Sequence, residues 1–121
     1  MDWLTWTIIG GCIATFVIFK RLALVAPAKA RETLKAGALV IDVRSEAEFK
    51  KGHLPKALNI PLDRLGEDIA RRAPDKNRSI LLHCLSGGRS GIGRSMLKRQ
   101  GYLNVFNLGS YARAKKIIGS Y

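Results

Sequence analysis

Residues 79–90 read Ser-Ile-Leu-Leu-His-Cys-Leu-Ser-Gly-Gly-Arg-Ser, an apolar strand that ends on Cys84 and continues through a glycine-rich turn into a helix. In that position backbone N–H groups of the turn surround the sulfur of Cys84, and the positive end of the following helix dipole points at it. Both effects favour a sulfur anion over the neutral thiol. We therefore expect this turn to hold negative charge on the sulfur of Cys84.

Short apolar segments alternate with helical segments on either side of this stretch. Strands are predicted at residues 38–42, 57–60, 80–83 and 105–107, and helices at residues 27–36, 62–72, 89–100 and 111–118. A shorter helix is capped by Ser45, with Glu48 three residues later as in a capping box. Continuously apolar strands that alternate with helices indicate a parallel α/β sheet covered on both faces. Sites in such sheets lie at the carboxyl ends of strands, where Asp42, Cys84 and Asn107 fall.

The chain is strongly basic, with a net charge of +12 over 121 residues. Such a domain suits an anionic partner: a nucleic acid, an anionic membrane face or a small anion. The chain lacks an RNA-binding signature, and no aromatic residues interleave a basic stripe. We therefore expect no nucleic-acid partner.

The two cysteines lie in different surroundings, Cys12 in an apolar segment and Cys84 in the turn. They are poorly placed to form a disulfide, and a reducing compartment fits best. Neither a CxxC motif nor a paired His/Cys spacing occurs, so no metal site and no other cofactor is expected.

The chain carries no charge from Trp3 to Phe19, and Lys20 and Arg21 follow. As a helix this segment spans roughly 25 Å, a little short of a hydrocarbon core of ~30 Å, and snorkelling of the two cations can make up the difference. We expect a single transmembrane anchor helix over residues 1–22 and a catalytic domain over residues 23–121. Positive charge flanks only the C-terminal end of the anchor, which predicts an inner (plasma) membrane protein with its catalytic domain in the cytoplasm.

Two other interpretations of this segment stay open. A cleaved signal peptide is favoured by the faint cleavage pattern at residues 26–28, although no positive charge from a side chain precedes the apolar run. A core helix of the folded domain would need a polar face, which the segment lacks.

Several short motifs occur in order along the rest of the chain. They are Asp42-Val43-Arg44, Glu48-Phe49, Gly-His-Leu-Pro at residues 52–55, Ala-Leu-Asn-Ile-Pro at residues 57–61, and the turn at residues 84–90. As an ordered set they resemble a single-domain rhodanese, a thiosulfate-type sulfurtransferase, over about residues 23–118. The resemblance implies a five-stranded parallel sheet flanked by helices.

The resemblance also implies a reaction. Cys84 would attack the outer sulfur of thiosulfate or of a persulfide donor and become a persulfide, and cyanide, a thiol or a sulfur-acceptor protein would then take that sulfur. The implied persulfide-binding residues follow Cys84 in the chain, and the implied supporting residues lie at the end of the first strand. They are Leu85, Ser86, Gly87, Gly88, Arg89 and Ser90, with Asp42 and Arg44 in support.

Loop length distinguishes this turn from that of its nearest chemical neighbours. Four residues separate Cys84 from Arg89, whereas cysteine-based phosphatases and related arsenate reductases use a loop one residue longer to cradle a tetrahedral oxyanion. The narrower ring suits a single sulfur atom. Two further functions remain as alternatives: a sulfur carrier or docking module at the membrane with little turnover, and an oxyanion reductase or phosphatase.

The chain departs from the family pattern at several positions. Leu85 stands where many members carry a basic residue, which weakens the expectation of tight thiosulfate binding. Lys56 replaces a usual glycine, and Gly109-Ser110 with Ala114 replaces a Gly-Gly pair followed by a tryptophan.

Each singled-out residue also has a structural interpretation. Cys84 could be an inert core cysteine, and Arg89 could simply pair with a carboxylate. For Asp42 we expect a structural role, bonding backbone N–H groups or Arg44. His83 lies within the strand and is expected to be a core histidine with its hydrogen bonds satisfied.

Overall fold

The computed structural model describes residues 2–119, and the side chains of residues 2–17 and 24–119. The helices are α1 (Trp3–Ala23), α2 (Pro27–Lys35), α3 (Glu46–Lys51), α4 (Leu62–Arg72), α5 (Gly88–Arg99) and α6 (Tyr111–Ile118). The strands are β1 (Leu39–Asp42), β2 (Leu58–Asn59), β3 (Ile80–His83) and β4 (Val105–Gly109). The predicted strands and helices of the α/β domain all occur, with bounds that agree to within about two residues.

The strands form one parallel sheet in the order β2-β1-β3-β4. Ile41 of β1 lies between Leu58 of β2 and Leu82 of β3, so β1 and β3 have a strand on each side. Every residue of β3 is buried, as expected for a continuously apolar strand inside a parallel sheet. The chain therefore folds as an α/β domain whose central strand leads directly into Cys84.

The expectation of five strands is wrong, because the sheet has four in the part of the chain that the structure describes. The segment before α2 makes only one parallel bridge, Leu24 to Asn107, where the Val25 N–H donates to the Asn107 carbonyl (2.9 Å). Pro27 begins α2 two residues later, so this segment is too short to continue as a strand.

Helices cover both faces of the sheet. Because successive side chains of a strand point to opposite faces, Ile41 and Leu82 pack on one side while Val40 and Leu81 pack on the other. The first side holds Leu65 and Ile69 of α4, Leu97 of α5, and Cys84 itself. The second side holds Ala30 of α2 together with Ala114 and Ile117 of α6. The sulfur-bearing residue thus belongs to the core beneath α4 and α5.

The capping box predicted at the start of α3 is confirmed. The Ser45 hydroxyl accepts the Glu48 N–H (3.2 Å), and the Glu48 carboxylate accepts the Ser45 N–H (3.2 Å). Two backbone donors that a helix start leaves unpaired are satisfied in this way. The capping box therefore fixes the position on α3 from which the Glu48 carboxylate extends toward the turn after β3.

The predicted transmembrane anchor over residues 1–22 is not supported. Among the residues that the structure describes, none of the helices combines the length and apolar character needed to cross a membrane. The uncharged segment from Trp3 to Phe19 is shorter than a hydrocarbon core, and the prediction depended on Lys20 and Arg21, whose side chains lie outside the described part. The predicted inner-membrane localisation with a cytoplasmic catalytic domain depended on this anchor and is corrected with it.

Candidate active site

Cys84 follows β3 directly and is fully buried. Its Sγ accepts the Gly87 N–H at 3.0 Å and the Ser90 N–H at 3.4 Å, and the Ser90 Oγ lies 3.4 Å away. These donors come from the turn and the first part of α5, where N–H groups have no partner within the helix. The structure therefore places polar hydrogens around the sulfur, as the sequence of the turn predicts.

The turn is held by the junction between β4 and α6. The Cys84 N–H donates to the Gly109 carbonyl, and the Tyr111 N–H donates to the Leu85 carbonyl (both 3.2 Å). Gly87 adopts a φ of +98°, and a Cβ there would lie 3.3 Å from the Gly109 Cα. Both the positive φ and the close Gly109 backbone favour a residue without a Cβ at this position. In this conformation the Gly87 N–H points toward the sulfur.

The electrostatics of the sulfur reflect two opposing effects. Burial raises the pKa of the Cys84 thiol, but the hydrogen bond with the Ser90 hydroxyl and those from the Ser90, Gly87 and Ser86 amides outweigh it. The pKa of Cys84 consequently lies below its usual value. At a given pH below its usual pKa, a larger fraction of Cys84 is therefore ionised to the thiolate than of an unperturbed cysteine.

Arg89 makes its hydrogen bonds with Glu48 rather than with the sulfur. Its two terminal nitrogens donate to the two Glu48 oxygens at 2.7 and 2.9 Å. This bidentate contact lowers the pKa of Glu48 to about 2. The charge of Arg89 still interacts electrostatically with Cys84. The sequence identifies Glu48 as a capping residue and as part of a family motif, but neither feature predicts its pairing with Arg89.

Asp42 and Arg44 form a buried pair at the end of β1. The Arg44 Nη2 donates to Asp42 Oδ2 at 2.8 Å and to the Gly52 carbonyl at 2.7 Å, and the Arg44 N–H donates to Asp42 Oδ1 at 2.9 Å. The Arg44 guanidinium also lies over the Tyr111 ring, 4.6 Å from its centroid. Neither residue makes a hydrogen bond with Cys84 in the described structure, so their contacts brace the elements around the turn.

His83 is buried as expected, but its hydrogen bonds are not satisfied. Neither ring nitrogen has a hydrogen-bond partner among the described residues, and Nε2 lies 3.7 Å from Asp42 Oδ2. Burial lowers the pKa of His83, although Asp42 opposes that effect. The expectation failed because Asp42 Oδ2, the acceptor beside Nε2, lies beyond hydrogen-bond distance and is bonded to Arg44 instead.

A cavity of about 420 Å³ lies on the outer side of the turn. Residues 86–88, Ile92, Arg94 and Asn107 contribute to its mainly apolar wall, and Cys84 does not. Because Cys84 is fully buried, a small molecule can reach Sγ only after side chains or the turn itself move. Among the described residues, no cluster of histidine, cysteine and acidic side chains is arranged to hold a metal ion.

The sequence predicts that Asn107 ends a strand, whereas β4 continues to Gly109. In the structure the Asn107 side chain is buried and contacts the turn, accepting from the Ser90 hydroxyl at 2.7 Å. The only available signal was its position at the same sheet edge as Cys84.

Residues 26–115 match the Rhodanese-like domain family. The thiosulfate sulfurtransferase PspE of Escherichia coli K12 is 39% identical over 69 residues, which cover 57% of this chain and 66% of PspE. This chain thus spans just under two thirds of that relative. The uncharacterized protein YqhL of Bacillus subtilis is 32% identical over 118 residues, covering 85% of this chain and 92% of YqhL.

Solved structures show the same similarity. The human single-domain sulfurtransferase TSTD1 superposes with a TM-score of 0.66 at 28% identity, covering 78% of this chain and 96% of TSTD1. Further relatives are named as a putative sulfur carrier protein and as tRNA uridine(34) hydroxylases. The relatives that match this chain therefore differ in their named functions.

Proposed function

Because this chain belongs to the rhodanese-like domain family, we propose that it transfers a sulfane sulfur through a persulfide on Cys84. The observation that carries the proposal is the pair of hydrogen bonds that Sγ accepts from the Gly87 and Ser90 amides, with the Ser90 hydroxyl 3.4 Å away. Such donors stabilise a sulfur anion, which is the reactive form before the transfer and the form of the persulfide after it. We assign the activity to the domain over residues 23–121.

The first half-reaction loads the cysteine. The Cys84 thiolate attacks the outer sulfur of thiosulfate, a new bond forms between the two sulfurs, and the sulfur–sulfur bond of thiosulfate breaks. Sulfite leaves with the electron pair of the broken bond, and the negative charge moves to the outer sulfur of the Cys84 persulfide. A persulfide donor reacts in the same way and leaves as a thiolate.

The second half-reaction unloads the cysteine. A nucleophile such as cyanide, a thiol or the thiolate of an acceptor protein attacks the outer sulfur, and the bond to Sγ breaks. The electron pair of the broken bond stays on Sγ and regenerates the Cys84 thiolate. The enzyme therefore undergoes no net oxidation or reduction over the cycle. The hydrogen bonds to Sγ stabilise the leaving group of this step.

The short turn supports sulfur transfer over oxyanion chemistry. The described amide donors converge on Sγ itself, at 3.0 and 3.4 Å. A phosphatase loop instead needs donors that surround an oxyanion beyond the sulfur, and Arg89 is already paired with Glu48 on both terminal nitrogens. Phosphatase or reductase activity is therefore the weaker proposal.

A sulfur carrier with little turnover of its own is the second candidate. Two observations favour it: Cys84 is fully buried, and Leu85, the residue after it, is 58% exposed. An exposed leucine attracts a protein surface better than it attracts a small divalent anion. In that case the persulfide forms but waits for a docked acceptor.

Two measurements test the proposal on the same samples. The first is thiocyanate formation from thiosulfate and cyanide, and the second is the intact mass after incubation with thiosulfate alone. An enzyme gives thiocyanate and a gain of about 32 Da, one sulfur atom, on Cys84. A carrier gives the mass gain with negligible thiocyanate.

The cysteine variants are the controls. Cys84→Ser should abolish both signals, whereas Cys12→Ser should leave both unchanged, because Cys12 is an exposed residue of α1 and is not part of the turn. Full turnover in Cys84→Ser would remove this cysteine from the mechanism and overturn the proposal.

A further inference from the structure

The side chain of Asn107 joins three parts of the turn and strand that surround Cys84. It lies in β4, the strand next to β3, and is 2% exposed. Its Oδ1 accepts the Ser90 hydroxyl at 2.7 Å and the Gly109 N–H at 2.9 Å, and its Nδ2 donates to the Gly87 carbonyl at 3.3 Å. Ser90 and Gly87 both have groups that hydrogen-bond with Sγ.

The Gly109 N–H determines which way the Asn107 amide faces. A backbone N–H can only donate, so the Asn107 atom beside it must be the oxygen. The same oxygen is therefore presented to Ser90, and the amide nitrogen is presented to the Gly87 carbonyl. Asn107 consequently acts as an acceptor toward Ser90.

The Ser90 hydroxyl has one hydrogen and several acceptors within reach. The oxygen of Asn107 is at 2.7 Å, the Gly87 carbonyl is at 3.2 Å, and the Cys84 Sγ is at 3.4 Å. The shortest of these contacts is the one to Asn107, so the hydrogen points there and a lone pair of Ser90 faces the sulfur. A neutral thiol can donate to that lone pair, whereas a thiolate competes with Asn107 for the hydrogen.

We propose that Asn107 is a positioning residue for sulfur transfer, because its side-chain oxygen sets the direction of the Ser90 hydroxyl and limits the hydrogen bonding that Ser90 gives to the sulfur at Cys84. The proposal rests on the proposed function for its role in transfer. The orientation of Ser90 itself follows from the contacts alone. Asn107 makes no hydrogen bond with Sγ in the described structure, and acts through Ser90.

The test measures the pKa of Cys84 from the pH dependence of its alkylation by iodoacetamide. All variants carry Cys12→Ser, so that Cys84 is the alkylated thiol. The charged and titratable groups around Cys84 are the same in the Asn107→Leu and Ser90→Ala variants: His83 on β3, Asp42 and Arg44 at the end of β1, Arg89 on α5 and its partner Glu48 on α3. A shift in the profile therefore reports the change at Asn107 or Ser90.

Asn107→Leu removes the acceptor and leaves the Ser90 hydroxyl free to donate to the thiolate. We expect the pKa of Cys84 to fall by roughly half a unit to one unit, which is about three- to tenfold more thiolate at a pH below the pKa. In the Ser90→Ala background the same substitution should cause no further shift, because the group through which Asn107 acts is gone. An equal shift in both backgrounds, or none in either, would overturn the proposal.

Asn107→Asp carries the test if the leucine variant does not fold. It keeps an acceptor for Ser90 and Gly109, holds the Ser90 hydrogen more strongly and adds negative charge near the sulfur, so the pKa of Cys84 should rise. A fall would contradict the proposal. Alkylation needs no sulfur transfer, so an absence of thiocyanate formation with the expected pKa shifts would refute the proposed function and leave the orientation of Ser90 by Asn107 intact.

Discussion

Glu48 and Arg89 are joined by two hydrogen bonds, of 2.7 and 2.9 Å, that connect the first turn of α3 to the first turn of α5. The pair is partly exposed, with 31% of the Glu48 side chain and 37% of the Arg89 side chain accessible. The two residues are 41 positions apart in the chain. Their contact pairs Arg89, the basic residue of the turn, with a carboxylate. Under the proposed function, an anionic sulfur donor that approaches Cys84 would therefore meet a cation whose charge is neutralised by Glu48.

Glu48→Gln should improve the binding of an anionic donor. The amide preserves the capping box with Ser45, because glutamine serves in that motif as well as glutamate does. It removes a negative charge and frees the charge of Arg89, so KM for thiosulfate should fall about threefold at low ionic strength and less at high salt. Because the pKa of Glu48 is about 2, the native pair stays ionised at ordinary assay pH.

Steady-state thiocyanate formation at two ionic strengths measures this effect. Glu46→Gln is the matched control, since it makes the same charge change on the same helix with no contact to Arg89 among the described residues. A KM that moves equally in both variants would show that only the net charge of the domain matters.

Gly87→Ala should destabilise the domain and lower sulfur transfer. The residue has a φ of +98°, where an L side chain is strained by about 1–2 kcal/mol, and its Cβ would press on the Gly109 backbone at 3.3 Å. Gly88→Ala is the matched control, because a Cβ there meets nothing within 4 Å. Gly87→Ala should have a lower free energy of unfolding in urea and a lower rate of thiocyanate formation than Gly88→Ala. Equal values in the two variants would mean that the turn tolerates a side chain at position 87.

Asp42→Asn should cost about 3–5 kcal/mol of folding stability, because it leaves the buried charge of Arg44 without its counter-ion. Arg71→Gln breaks the ion pair with Asp68 on the surface of α4, where the Arg71 side chain is 77% exposed, and should cost less than about 1 kcal/mol. Chemical denaturation of the two variants measures the difference. Comparable losses would indicate that the Asp42–Arg44 pair is no more important than a surface pair.

The domain should lose stability in mild acid through His83. Its pKa is lowered in the folded state, so the unfolded chain takes up a proton below about pH 6.5 that the folded chain does not. Stability from this residue is complete above the unfolded pKa and falls as the pH drops toward the folded pKa, by up to about 1.4 kcal/mol per pH unit. Denaturation at a series of pH values from 7.5 to about 5 measures the slope.

His83→Leu should flatten that slope, while His53→Gln, a change at the other histidine of the chain, should retain it. The leucine variant should also gain stability at neutral pH, because it removes two ring nitrogens that are buried without partners in the described structure. An unchanged slope in His83→Leu would assign the acid sensitivity to other groups.

The sequence by itself determined the features that depend on neighbouring residues. The continuously apolar segment before Cys84 is typical of a buried strand between turns, and the Ser45–Glu48 spacing is typical of a helix start such as that of α3. The glycines after Cys84 permit the turn whose amides face the sulfur. These features follow from local conformational preferences and from the period of the apolar residues.

Only the tertiary structure decided which distant side chains meet. The contact of Asn107 with Ser90 depends on the register between β3 and β4, and the pairing of Arg89 with Glu48 depends on how α3 and α5 pack at one sheet edge. The same holds for Leu24, which makes one bridge to β4 instead of beginning a fifth strand. Each of these contacts joins residues far apart in the chain, and the packing of the whole core, rather than any local pattern, sets the distance between them.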